Sequence, residues 1–167
     1  DKIHEIDTVG LTATVGSGVK WRTLVERVME KGLIPPVLTN NLGVTIGGTL
    51  SLAGLGIASF REGAQVDNVQ SLRLILPDGT SAECSRKSKR ELFRFALAGV
   101  GSIGVIERAR VLTTPMPRFS RLYISEASSW QQLLRAVGEV PGMSQGSTLA
   151  DAPMEMLAIC RTNGTGY

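Results

Sequence analysis

Hydrophobic and polar positions first fall into a regular pattern at residues 11–16, LTATVG, where their alternation predicts a half-buried strand closed by the GSG turn at 16–18. The period then lengthens. Trp21, Leu24, Val25 and Val28 recur at helical spacing, with Arg22, Glu26, Arg27 and Glu30 on the other side, so a helix with one apolar stripe is predicted. Gly32 supplies its stop, and Pro35 and Pro36 forbid its continuation. Further on, Leu72, Leu74 and Leu76 share a face of VQSLRLILPDGTSAEC, which reads as a hairpin turning at Pro77, Asp78 and Gly79. Ser88 with Glu91 three residues later predicts a capping box, opening a helix that carries Leu92, Phe93, Phe95 and Ala96 and ends near Gly99. GVGSIG then leads into a long strand, VIERARVLTT.

Pro115 and Pro117 mark a boundary. Beyond it RLYIS predicts a strand, SSWQQLLRAVGEV a helix and MEMLAIC a further strand. That helix takes Ser128 and Gln131 as its capping box and Trp130, Leu133, Leu134 and Val137 as its stripe. The expected organisation is an α+β domain over 1–115 and the start of a second α+β unit over 116–167.

Composition narrows the function classes. With 167 residues, 43% of them hydrophobic, the chain is long enough to bury its own core. A net charge of +3 with both signs scattered requires no nucleic-acid surface, and the basic run RKSKR at 86–90 reads as a solvated loop. Cys84 and Cys160 lie far apart with no CxxC and no histidine nearby, so neither a zinc site nor a disulfide framework is expected, and both read as buried thiols. His4 reads as an ordinary surface or partly buried histidine. No apolar run reaches the roughly 18 residues of a membrane span. Both ends read as excised from something longer, so the missing targeting signal leaves the compartment open.

The stretch at 45–56, TIGGTLSLAGLG, stands apart. Clustered glycines mark strained turns or a surface where the backbone meets a ligand or another backbone closely. A glycine-rich turn running into a helix also offers unpaired N–H groups and a positive dipole end to an anion, and Thr45, Thr49 and Ser51 add hydroxyls. The spacing is neither GxGxxG nor a Walker loop, so pattern alone leaves backbone packing and ligand binding equally open.

TIGGTLSLAGLG, then FREGAQVDNV, then LRLILPDGTSAECS, then ELFRFALAGVGSIGVIERARV resembles, in content and order, the FAD-binding domain of the vanillyl-alcohol oxidase / p-cresol methylhydroxylase superfamily. The nearest group is the cytokinin dehydrogenase-like flavoproteins, and the likeness runs from about residue 11 to 113. The resemblance implies a mixed, largely antiparallel sheet flanked by helices, FAD as cofactor and a small-molecule substrate. It also implies that Thr45, Gly47, Gly48, Thr49 and Ser51 line the pyrophosphate and flavin, that Leu55 packs beside them, and that the main chain at Ile106 meets the adenine end. Two departures qualify it. The family's upstream glycine-rich loop has no counterpart before residue 11, and where cytokinin-oxidising members place an aspartate five residues before the motif's threonine, this chain has Asn40, which is not a base. The resulting expectation is the FAD-binding portion of a flavin-dependent oxidoreductase, inactive by itself. The alternatives are a nicotinamide-dependent flavin reductase of the same fold and a non-catalytic interaction module that keeps the scaffold.

Overall fold

A computed structural model describes residues 2–117 together with 129–132 and 135. The chain packs as two compact units, Asp1–Met116 and Pro117–Tyr167. In the first, β1 (Ile3–Asp7), β2 (Thr12–Gly16), β4 (Val69–Ile75), β5 (Ser81–Ser85) and β6 (Val105–Leu112) form one sheet in the order β1-β2-β6-β4-β5. Every pairing in it is antiparallel. The last long strand therefore enters at the centre, between β2 and β4. Short strands β3 (Leu33–Ile34) and β7 (Thr114–Pro115) pair separately. The helices are α1 (Trp21–Met29), α2 (Ile46–Ser51), α3 (Ser59–Glu62) and α4 (Arg90–Ala96), and a 3-10 turn spans Gln65–Asn68.

The core forms because the apolar face of each element reaches one side of the sheet. Ala13, Val15, Leu72, Leu74, Cys84, Ile106, Ala109 and Val111 from the strands join Trp21, Leu24, Val28, Ile46, Leu50, Phe93 and Ala96 from α1, α2 and α4 in one cluster. The stripe of α1 is buried as its spacing predicts, and Gly32 behind it sits at φ +70, where glycine alone is unstrained. The hairpin at Pro77, Asp78 and Gly79 forms as expected, with Thr80 donating to the Asp78 carboxylate through both its N–H and its hydroxyl. Leu72 and Leu74 are buried, whereas Leu76 at its end is only partly so.

Two local expectations fail. The capping box of Ser88 and Glu91 does not form, because α4 starts at Arg90 from a left-handed Lys89 with no side-chain cap. The Ser85 hydroxyl takes the Lys87 and Ser88 amides instead, holding the loop in a tight turn before the helix begins. Phe95 of that helix is exposed, leaving Phe93 and Ala96 as its buried contacts. Strand β1 was not foreseen, since HEID lacks the alternation that marks β2. Beyond residue 117, Ser129 Oγ accepts from the Gln132 amide at 3.3 Å and Trp130, expected on an apolar stripe, is exposed, while Ser128, Leu133, Leu134, Val137, Cys160 and the strands expected at RLYIS and MEMLAIC lie outside the described residues.

Candidate functional site

The glycine-rich stretch folds as α2 and the turn that follows it. Thr45 caps the helix in extended conformation, and its Oγ1 accepts the Gly48 amide at 3.2 Å. The remaining first-turn amides also have partners: Ile46 N–H donates to Val19 O at 2.9 Å, Gly47 N–H to Ser17 O at 2.8 Å and Thr49 N–H to Thr45 O at 3.1 Å. The expectation of unpaired amides at this helix start is thereby corrected. The GSG turn and the strand-like residues after it have taken the donors that a short helix would otherwise leave open.

The central strand fixes this arrangement. Arg73 lies opposite Arg108 and Leu74 opposite Ile106, so Glu107 between them is a bulge. Its carbonyl accepts the Ser17 amide at 3.0 Å, and its carboxylate lies 2.9 Å from Arg73 Nε. Ser17 in turn accepts from Gly47, so a kink in β6 is passed through two backbone bonds to the start of α2. At the other end, Ala98 N–H and Val100 N–H donate to the carbonyls of Leu50 and Ser51 at 2.8 and 3.0 Å.

The seven residues singled out in the sequence divide by direction. A Cβ on Gly47 would lie 2.6 Å from Ser17 Cβ, so this glycine serves backbone packing. A Cβ on Gly48 would meet only the Thr45 hydroxyl, at 2.9 Å, and Gly48 is exposed. The Thr49 hydroxyl is turned inward, donating to Ile46 O at 3.2 Å and accepting from the indole Nε1 of buried Trp21 at 2.7 Å. Ser51 Oγ donates back to Gly47 O at 2.8 Å. Ile106 is buried in the central strand. Leu55 is 71% exposed, and Leu52, 69% exposed, stands three residues before it. Thr45, Gly48 and Leu55 thus face outward, and Gly47, Thr49, Ser51 and Ile106 hold the structure behind them.

Asn40 is exposed, while the neighbouring Asn41 carboxamide accepts from Gly43 N–H at 2.8 Å. Gly56 packs directly on the Leu38 carbonyl, which brings the turn after α2 against the segment leading to Asn40. The backbone amides of Ala53 and Leu55 donate to nothing among the described residues. Exposed positions of this stretch are thus Gly48 in the first turn of α2 and Leu52 and Leu55 in the turn after it. Gln65, which spacing gave no reason to select, lies behind this turn; a buried polar residue with long-range partners has no periodic signature. His4 stands elsewhere, on β1 in an open groove with Arg27, Glu30 and Lys31, and desolvation with nearby Arg108 and Lys2 holds its pKa below the ordinary value.

The first unit is thus a domain of α+β class, an antiparallel sheet with helices packed on it. A family model described as FAD binding domain matches residues 1–85, and the chain belongs to that family. The match includes β1, which the likeness read from residue 11 onward left out, and stops before β6, so the central strand lies beyond it. The chain is also similar to an uncharacterized oxidoreductase, ORF5 of the fasciation locus of Rhodococcoides fascians, at 41% identity over 66% of this chain and 25% of that protein. Similarity extends to cytokinin dehydrogenase 4 of Arabidopsis thaliana, at 35% identity over 76% of this chain and 25% of the relative. It extends too to cytokinin dehydrogenase 3 of Oryza sativa subsp. japonica, at 41% over 64% and 20%. The chain spans about a quarter of the length of the curated relatives it matches.

Proposed function

We propose that this chain forms the FAD-binding part of a flavin-dependent oxidoreductase that takes a hydride from a small organic substrate, with 1–115 as cofactor domain and 116–167 as the start of a substrate domain. The observation that carries the reading is the exposed backbone at Gly48 beside the Thr45 cap, in a chain of the FAD-binding family. FAD, when bound, supplies the two-electron acceptor. The chain's own residues do the holding. Thr45 and the backbone over Gly48 lie against the cofactor, Leu55 covers an apolar edge, and Gly47, Thr49, Ser51 and Ile106 keep that wall fixed. Asn40 orients a substrate or flavin edge through its amide and removes no proton, so the cytokinin dehydrogenase activity in the relatives' names is not carried over to it.

FAD titration of the intact parent protein, followed by quenching of flavin fluorescence, tests the reading; this portion alone is expected to bind weakly or not at all, because contacts from one side of the pyrophosphate are missing. Saturable binding is expected, and Gly48→Val should weaken it at least about tenfold while thermal stability is kept, because the new side chain occupies ligand space. A protein that ignores FAD overturns the reading, as does a Gly48→Val variant that binds FAD normally.

A further inference from the structure

We infer that Gln65 is a positioning residue for the flavin-facing wall: from within the core it locks the segment leading to Asn40 against the turn that carries Leu55. The inference rests on the function proposed above. Gln65 is only 2% exposed, and a primary amide removed from water is costly unless its hydrogen bonds are replaced. Its bonds reach two separate segments. The side-chain Nε2 donates to Val37 O at 3.3 Å, three residues before Asn40. Its backbone N–H donates to Gly54 O at 2.8 Å, and the next amide, Val66, to Ala53 O at 3.2 Å.

Close packing completes the lock. Gly54, at φ +68, lies against the Gln65 carboxamide so tightly that a methyl there would collide with Oε1. Gly56 presses on the Leu38 carbonyl in the same way. Oε1 itself accepts no hydrogen bond, so the orientation of the carboxamide is set by its single donation to Val37. An apolar side chain of this size would fill the space without leaving an acceptor unpaired. What only a donor at this point provides is a fixed distance between residues 37–40 and 53–56.

The test uses Gln65→Met, which keeps the volume and cannot donate, and Gln65→Glu, which donates only when protonated. In the intact wild-type protein, FAD affinity should vary little between pH 5 and 8, and Gln65→Met should weaken it about tenfold at every pH with helical circular dichroism retained. Gln65→Glu should approach wild-type affinity at the acid end and lose it as pH rises through the carboxyl's pKa, which burial raises. Equal affinity in all three proteins, with wild type binding FAD, overturns the positioning role and leaves the proposed function standing. If wild type binds no FAD, the proposed function fails and the lock is judged by nuclear magnetic resonance alone. Gln65→Met should then shift the Asn40 and Leu55 amide signals together, and the Gln65 side-chain amide of wild type should exchange slowly with solvent. Fast exchange of that amide overturns the inference even where a variant fails to fold.

Discussion

Adjacent glycines in the same short helix do different work, and substitution separates them. Gly47→Ala places a methyl 2.6 Å from Ser17 Cβ and should lower the urea midpoint, whereas Gly48→Ala meets only a hydroxyl and gains helix propensity, so its midpoint should hold or rise. Thr49→Val leaves the Trp21 indole N–H without its acceptor inside the core. A loss of about 1 to 3 kcal/mol in unfolding free energy is expected, read from equilibrium denaturation. At Asn40 the chemistry is at stake. In the intact parent enzyme, Asn40→Ala should reduce turnover by less than the roughly 100-fold to 10,000-fold that follows removal of a general base. Asn40→Asp should introduce amine oxidation with a pH dependence set by the new carboxylate. A turnover in Asn40→Ala as low as base removal gives would show that the amide does more than orient.

Among the elements, α2 is too short to be stable alone and is held at both ends by other parts of the chain. The loop at 97–104 does this at a conformational cost. Ala98 and Val100 adopt φ +56 and +54, a region disfavoured by roughly 1 to 2 kcal/mol for L-residues and most unusual for a β-branched side chain. Their amides then reach the carbonyls of Leu50 and Ser51. Val100→Gly should relieve the strain while keeping the bond, and after the entropy cost of glycine the net gain should be below about 1 kcal/mol. The measurement is the urea midpoint at unchanged m-value. A lowered midpoint would mean that the exposed Val100 side chain contributes contacts outweighing its strain.

For the whole first unit, stability should depend on acid through the edge of the sheet. The Gly10 amide is the largest influence holding the Asp7 carboxyl below the ordinary range; burial opposes it, and the Val9 amide and the Arg110 guanidinium add smaller lowering contributions. A carboxylate whose folded pKa is depressed stabilises the fold above its unfolded pKa, and the contribution is lost as pH falls through the folded value. Thermal stability should therefore decline below about pH 4, and Asp7→Asn should start lower and decline less steeply. Asp78, lowered by its bonds from Thr80, acts in the same direction at the β4–β5 turn. Cys84 behaves oppositely. Burial pushes its thiol pKa up, in keeping with a thiol enclosed by the core.

Local pattern by itself determined α1, β2 and the β4–β5 hairpin, because each meets one apolar face at a regular period, and pointed to β6 as a long strand without its bulge, while the order of four motif blocks pointed to the FAD-binding family. It did not determine direction at the glycine stretch. Gly47 and Gly48 are identical in sequence, and only the position of Ser17, set through the bulge at Glu107, turns one into a packing contact and leaves the other open. The hydroxyl of Thr49 was legible as a hydrogen-bonding group but not as an inward-facing one, since its partner is a tryptophan 28 residues away, and that of Ser51 not as one satisfied by the helix's own Gly47 carbonyl. The place of β6 between β2 and β4, the donors filled at the start of α2 and the lock at Gln65 were likewise decided by tertiary structure. Each depends on contacts between residues far apart in the chain, and a periodic pattern carries no information about which distant segment will supply a donor.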